Sequence, residues 1–522
     1  MTVRMHEIVT LQFGQQANFI GTHYWNTQEA YFTYAGQDES PIDHDISFRP
    51  GIGADGQDTY TPRTLIYDLK GAFGTLRREN ALYSLQQNEQ PTQAGGGWSG
   101  ATIPMQLPPI RPHAYQEALD QGQEPSRLRT ETVRFWSDYN HLFYHPRSIV
   151  QLNEYELNSS LMPFERWSTG EELFEMLDRE QDLLDRDLRP FLEECDQLQG
   201  LQVFSGIDDA WGGFAAKYVE RIADDLGKGC RWMFGLCGSD RVTRERQLLQ
   251  CSNVAQSLYA GTTSLSMHIP LALLPAHLAP YVEMDASSRW QTSALQAVLA
   301  ESLTLPTRLR LSETARATFD TIESTLSNNG TRRVASAGIS IEDPSTLEHF
   351  DSRMVDGHAN NTPDETPSDA QEMKLDMNFL PEFASRSSSD ASVEQSGHIF
   401  SSVESLRGVW ESHNEIEATN VAARDRFAES ASGTRTTTYQ TQLLFPMLSS
   451  YPLILRFHGR PERFAVKAAL STSTIVADRI RGLEVTTRRI VGVEEREALC
   501  DGLMTLAEEY EEGWSDEEDY DE

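Results

Sequence analysis

The sequence predicts an α/β fold, a parallel sheet with helices packed on its faces. Three observations predict it. Short strand-like runs alternate with helix-periodic stretches over the first ~250 residues, the pattern of successive β-α units. The chain opens on a strand that breaks at a glycine and resumes as a helix. Composition also shifts at two places, so the 522 residues hold less packed core than their number suggests.

The elements follow in order. His6–Phe13 alternates in part with period two, breaks at Gly14 and continues helically through Ile20, Tyr24 and Trp25. Strand, glycine turn and helix form the local grammar of a nucleotide-type unit, because the helix N-terminus faces the strand's carboxyl end. Thr64–Leu69 is a second strand, followed by Gly71 and Gly74, and residues 86–122 read as a long Gly-, Pro- and Gln-rich surface loop. Ser168-Thr169-Gly170-Glu171 has the form of a capping box. It should open a helix with Leu173, Leu177, Leu184 and Leu188 on one side, interrupted by Pro190. Leu201–Phe204 and Arg231–Leu236 are strands, with Phe214, Tyr218, Val219, Ile222 and Leu226 at helical spacing between them. From about Val355 to Gly397 Asn, Thr, Pro, Asp and Ser dominate with few apolar anchors, the composition of a disordered insertion. Thr437–Phe457 has strand character and Glu494–Glu509 reads as a helix.

Lys and Arg total 44 against 79 Asp and Glu, a formal charge of −35, which argues against a phosphate-backbone binder. The last fifteen residues hold ten acids and no base, so that segment carries −10 of the total. Cys195, Cys230, Cys237, Cys251 and Cys500 are odd in number and form no CxxC pair, which reads as buried reduced thiols, not a disulfide framework or zinc site. The first thirteen residues have neither a secretory h-region nor a presequence pattern. The most apolar window, Ile269–Val282, carries three prolines and is short of the ~20 residues a membrane span needs.

Met5–Gly21, with His6-Glu7-Ile8-Val9-Thr10-Leu11-Gln12-Phe13-Gly14-Gln15, resembles the opening strand, loop and helix of tubulins. Tyr60–Leu69 is similar to their second strand and phosphate-side loop, and Cys195–Phe204 to the strand that leads into their glycine-rich signature loop. Glu494–Tyr520 resembles tubulin's last helix and acidic tail. Arg134-Phe135-Trp136-Ser137-Asp138-Tyr139-Asn140, continuing through Phe143-Tyr144-His145-Pro146-Arg147-Ser148-Ile149, resembles the Misato family of tubulin-like proteins. The resemblance implies a tubulin/FtsZ-like fold: a Rossmann-like parallel sheet, a core helix at Gln291–Thr304 and a second α+β domain. The division it implies is 1–304 for the nucleotide-type domain, with the Misato block near 130–155. Residues 305–354 start the intermediate domain, 355–397 are the insertion, 398–493 complete the intermediate domain, and 494–522 are the last helix and acidic tail.

Tubulins cradle phosphates on a GGGTGSG loop, because backbone amides reach phosphate oxygens only where no side chain intervenes. The matching residues here are Asp208-Asp209-Ala210-Trp211-Gly212-Gly213-Phe214. A carboxylate ~4–5 Å from a polyphosphate costs several kcal/mol at an effective dielectric near ~20, and the Trp211 indole excludes by bulk. The aspartates either hold Mg²⁺ or cap the next helix, and capping is favoured. Gly14, Gln15, Asn18 and Asp68 are the retained nucleotide-loop positions, while Gln16, Ala17 and Phe19 depart from the family pattern. Lys70 stands where tubulins carry a metal-side glutamate. Ala94-Gly95-Gly96-Gly97-Trp98 echoes a further phosphate loop, and Ser293 falls near where an asparagine would read the base.

No Walker loop, zincin pair or GxSxG elbow is present, and no metal ligands or catalytic residues are assigned; His141 and His145 read as part of a packed turn. Arg134, Trp136, Asp138, Tyr139, His145 and Arg147 form either a recognition surface or a brace against the core. The resemblance implies a non-enzymatic protein of mitochondrial partitioning, inheritance (mitochondrial DNA included) and morphology. It would act in the cytoplasm and at the mitochondrion's cytosolic face without a membrane span or nucleic-acid contact. The implied partners are outer-surface or cytoskeletal proteins and the cytosolic chaperonin. No cofactor is expected, with weak GTP binding left open; a polymerising GTPase of the tubulin class is the alternative.

Overall fold

The structure, a computed structural model, describes residues 6–33, 39–52, 56, 58–76, 110–238, 242–310, 316–327, 330–343, 375–382, 397–408, 435–457, 459, 461–490 and 493–511. Its strands in chain order are β1 (Glu7–Phe13), β2 (Phe48–Ile52), β3 (Asp58–Pro62), β4 (Thr64–Lys70), β5 (Ile149–Glu156), β6 (Leu198–Gly206), β7 (Cys230–Cys237) and β8 (Met267–Ala272). After these come β9 (Ser336–Glu342), β10 (Met377–Asn378), β11 (Ile399–Arg407), β12 (Arg435–Thr441), β13 (Phe445–Pro446) and β14 (Arg463–Ser473). The α-helices are α1 (Gln15–Glu29), α2 (Ala114–Asp120), α3 (Trp167–Gln181), α4 (Arg189–Leu192) and α5 (Ala210–Leu226). They continue with α6 (Arg244–Ser264), α7 (Arg289–Thr304), α8 (Phe319–Leu326), α9 (Thr474–Ile490) and α10 (Val493–Glu508).

The first sheet has the order β5-β4-β1-β6-β7-β8 and every pairing in it is parallel. All of β1 is buried, which explains why its sequence alternates only in part: a central parallel strand meets apolar layers on both faces. Ile8, Ile66, Phe204 and Phe234 pack with α1 and α7 on one face. Val9, Leu11, Leu65, Tyr67 and Val203 pack with α3, α5, α6, α9 and α10 on the other. The second sheet runs β10-β9-β14-β11-β12, antiparallel except for β11–β12. The tubulin-like α/β architecture with a second sheet domain is therefore present.

Helix α7 lies between the two sheets, and from Thr292 to Thr304 every residue is buried. Glu301 within it is fully buried and accepts from two fully buried arginines. Arg308 Nη2 lies 3.1 Å from its Oε1, and Arg407, at the end of β11, contacts its Oε2. Gln28 of α1 donates to Oε1 at 3.0 Å, and Arg407 also donates to Tyr31 Oη at 2.6 Å. Both domains thus close on one carboxylate.

Four expectations are corrected. Ser168 does not cap α3, because the helix begins at Trp167 after Arg166, which makes no side-chain cap bond. Its interruption comes at Asp182, in the left-handed region at φ 47°, well before Pro190; the chain then makes a π-turn over Leu184–Leu188. Pro190 follows this π-turn directly, in the first turn of α4. Inside the expected insertion, residues 375–382 hold β10, which pairs with β9, and Met377 and Phe379 are buried in the core. Residues 355–374 and 383–396 lie outside the described residues. Finally, α9 does not belong with the second sheet's domain: it packs with α10 on α6.

Removing one member of a buried ion cluster leaves its partners charged and unpaired, a cost of about 3–5 kcal/mol. Glu301→Ala should lower the urea midpoint by a corresponding amount. Glu29→Ala, at the half-buried end of α1, should leave the midpoint nearly unchanged.

Candidate functional site

Ligands of open parallel sheets bind beyond the carboxyl ends of the strands, where the turns into the helices converge. Here the turns after β1, β4, β6 and β7 meet. Gly14 leaves β1 at φ 87°, a conformation that L side chains rarely adopt, and directs the chain into α1. Gln15 Nε2 and Asn18 Nδ2 then donate to Asp68 Oδ2 at 2.5 and 2.7 Å, and the Leu69 amide donates to Asp68 Oδ1 at 2.9 Å. The four retained loop positions are brought together, but as a closed cluster: Asp68 is fully buried and its acceptors are occupied by its neighbours. Burial pushes the Asp68 carboxyl up to about 7, against the pull of those three donors. Lys70, at the end of β4, is exposed to solvent.

The turn after β6 is rebuilt. Asp209 caps α5, accepting from the Trp211 amide at 2.9 Å, which is the capping role favoured from sequence. Asp208 braces the neighbouring turn, accepting from the Gly238 amide at 2.7 Å and from Gln250 Nε2 at 2.9 Å. Burial, and then the adjacent Asp208 carboxylate, push Asp209 up to about 8. The Trp211 ring lies on Gly14: a Cβ added to Gly14 would come within 2.4 Å of the indole nitrogen. Phe164 and Phe214 hold the indole edge-on with ring centroids 5.1 and 5.7 Å away.

The glycines that survive in this turn serve packing. A Cβ on Gly213 would fall 1.9 Å from the Trp167 carbonyl oxygen, and one on Gly170 would fall 1.7 Å from that of Ala210. Helices α3 and α5 therefore touch backbone to backbone through a glycine from each. A Cβ on Gly212 would fall 2.4 Å from Ser257 Oγ.

What remains open is a cleft of about 240 Å³. Gln16, Glu165, Asp208, Asp209, Arg246, Gln250, Ser287 and Arg289 supply its polar side chains. Ser293 is not among them: it is fully buried, and its hydroxyl donates to the Trp290 carbonyl at 3.3 Å. Arg289, one turn earlier on α7, reaches the cleft instead. The sequence reading missed Arg246, Gln250, Arg289 and Asn253. Asn253 of α6 ties two turns, donating to the Glu165 and Asp208 carbonyls at 2.7 and 2.8 Å and accepting from the Trp167 amide at 3.0 Å. Only the helical spacing of α6, which places Arg246, Gln250 and Asn253 on consecutive turns, hinted at it.

The Misato-like block packs on the same body. Trp136, Asp138 and Tyr139 are buried; Tyr139 Oη donates to the Phe19 carbonyl at 2.9 Å, and Asn26 Nδ2 to that of Tyr139 at 2.8 Å. Arg134 clamps Asp138. His141 bonds Tyr115 Oη at 2.6 Å, and His145 packs edge-on against Phe191. The block is a brace at Trp136, Asp138 and Tyr139, with Arg147 and Phe143 left facing solvent. The Ala94–Trp98 echo lies outside the described residues. Among the described residues no helix is long and apolar enough to cross a membrane.

Comparison with known proteins agrees with this geometry. Residues 6–121 match a profile described as the Misato Segment II tubulin-like domain, and residues 125–309 match a tubulin domain. The chain is 45% identical over 531 aligned positions to Protein DML1 of Phaeosphaeria nodorum, covering 99% of each chain. The chain belongs to the Misato family of tubulin-like proteins. Another Misato-family relative, Protein dml-1 of Neurospora crassa, is 44% identical with 98% of each chain covered. Protein dml1 of Schizosaccharomyces pombe is 35% identical over 62% of this chain and 70% of its own.

Two outcomes check the geometry. Gly213→Ala forces α3 and α5 apart and should cost about 1–3 kcal/mol by overpacking. Gly229→Ala, whose Cβ would meet nothing nearer than 4.0 Å, should be neutral in the same melts. Asp68 and Asp209 carry folded pKa values above their unfolded ones, so the native state holds the extra protons between about pH 4 and 8. Stability should therefore fall as pH rises through that window. The double variant Asp68→Asn, Asp209→Asn should flatten the decline in denaturant titrations at pH 5 and pH 8, since Asn also caps a helix.

Proposed function

We propose that this chain is a non-enzymatic tubulin-like protein of mitochondrial partitioning, inheritance and morphology, mitochondrial DNA included. The observation that carries the non-enzymatic part is the Trp211 indole seated on Gly14. Phosphate oxygens would need the Gly14 side of the α1 N-terminus, and a ring stands there instead. Asp208 and Asp209 already occupy the Gly238 and Trp211 amides on the same side, donors that a phosphate would need. The mitochondrial part rests on the resemblance of the Arg134–Ile149 block to a family whose fungal members act there. The protein works from the cytoplasm and the cytosolic face of the mitochondrion, through outer-surface or cytoskeletal proteins, and folds with the cytosolic chaperonin. It needs no cofactor.

The remaining cleft favours a second reading, a GTP-binding and polymerising protein of the tubulin class. The two readings separate in vitro. Titration calorimetry with GTP and Mg²⁺ should give no binding tighter than about 1 mM, and GTP should not make the protein sediment. Micromolar affinity overturns the first reading. In cells that express this chain, depletion should leave daughter compartments with few mitochondria and little mitochondrial DNA. Normal distribution after depletion would remove the mitochondrial role while leaving the calorimetric result standing.

A further inference from the structure

In a chain of net charge −35, one exposed helix face is cationic. Helix α9 buries Val476, Ala477, Ile480, Leu483, Glu484 and Thr487 toward α6 and α10. On its outer side Arg481, Val485, Arg488 and Arg489 recur at i, i+4, i+7 and i+8, an arc of ~100°. Val485 is 47% exposed and the Arg488 side chain 66%. Asp478 shares this face and lies 3.7 Å from Arg481, while Glu484 pairs with Arg488 from the buried side. Arg489 has no ion pair among the described residues. Arg496 of α10 donates to the Arg488 carbonyl at 3.4 Å, bringing a further guanidinium to the same edge.

The chain's own C-terminal segment starts beside this face. Glu511, the last described residue, pairs with Arg481. Residues 512–522 follow, with seven carboxylates, no Lys or Arg, and a large apolar side chain at Trp514. From Arg481 to Arg489 the helix rises ~12 Å. Eleven residues reach up to ~36 Å, so the segment spans the face with length to spare.

We propose that the outer face of α9 is the docking surface for residues 512–522 of the same chain. Glu511 enters at Arg481, Trp514 covers Val485, and the carboxylates of Asp516–Asp519 reach Arg488 and Arg489. Charge and order agree along the whole path: an ion pair already made, then an apolar side chain against an exposed valine, then acids against arginines. Docked there, the segment masks the cationic face from other anionic surfaces. Because its ion pairs are at the protein surface, the contact weakens as salt shortens the screening length.

The test uses the full chain carrying Arg488→Lys and Arg489→Lys, which keep the charge and add amines at exposed sites. A zero-length carbodiimide then joins those amines to carboxylates in direct contact, and the products are mapped by mass spectrometry. Cross-links from positions 488 or 489 to carboxylates within 516–522 are expected in the monomer. Their yield should drop roughly tenfold between about 20 mM and 500 mM salt, and severalfold when Trp514→Ala is added. The melting temperature, measured alongside, should match that of the unaltered chain. Cross-links to Glu484 or Glu497 without any to the segment, cross-links to the segment only within dimers, or a yield unmoved by salt and by Trp514→Ala each overturn the proposal.

Discussion

The structure depends on a buried carboxylate. Glu301 is inaccessible to solvent and faces two equally inaccessible guanidinium groups, an arrangement whose desolvation cost is recovered only if almost every donor and acceptor is matched. The matching draws on the whole molecule. Gln28, Tyr24 and Tyr31 come from α1 and the turn after it, and Arg308 follows α7. Arg407 closes β11 and donates further to the Leu443 and Leu444 carbonyls. None of these groups can be satisfied unless α7 lies between the two sheets at one depth. That depth also sets the cleft: Gln296 accepts from Gln16 and donates to the Ala272 carbonyl, and Arg289 stands at the rim.

The turn after β6 then shows how glycines at a strand-to-helix turn serve close packing. A loop that approaches a ligand needs bare backbone, and so does a close helix crossing. Gly170 and Gly213 satisfy the second requirement, with carbonyl oxygens of the opposite helix where side chains would stand. Gly14 meets a third: it leaves room for an indole from the neighbouring turn. Glycine content in the loop is thus no measure of ligand binding. The deciding feature is what each missing Cβ would touch, and here it would touch protein.

Much of the fold was legible because strands and glycine turns are local. Glu7–Phe13, Thr64–Lys70, Leu198–Gly206 and Cys230–Cys237 announce themselves by apolar runs ended by Gly or Asp. The site was legible in part: Gly14, Gln15, Asn18 and Asp68 converge, and Asp209 caps α5. What was hidden depends on partners distant in the chain. Ser168 looks like a cap, yet the Trp167 amide is taken by Asn253 from α6, and the helix begins two residues sooner. Met377 and Phe379 sit in a polar stretch whose composition masks two core side chains, because a window average dilutes a two-residue strand. Asn253 and Arg289 carry no motif; only the approach of α6 and α7 to the strand ends, from opposite faces of the sheet, gives them a role.

The same accounting of partners bears on the surface. Arg308 and Arg407 are consumed inside the molecule against one carboxylate, so their burial removes more positive than negative charge from solvent. Lys467 is likewise buried, paired with Glu404 across β14 and β11. Arg332 stacks 3.7 Å over Phe400 and donates to the Glu509 carbonyl, so it too is spent on holding the end of α10. Buried acids offset them, seven against five buried bases among the described residues, so the exposed shell keeps the acidic balance of the composition and its field repels other anionic surfaces at range. A contact with such a surface has to form where cations gather on one exposed stripe. In the described residues α9 carries such a stripe, next to the point where the acidic end of the chain departs.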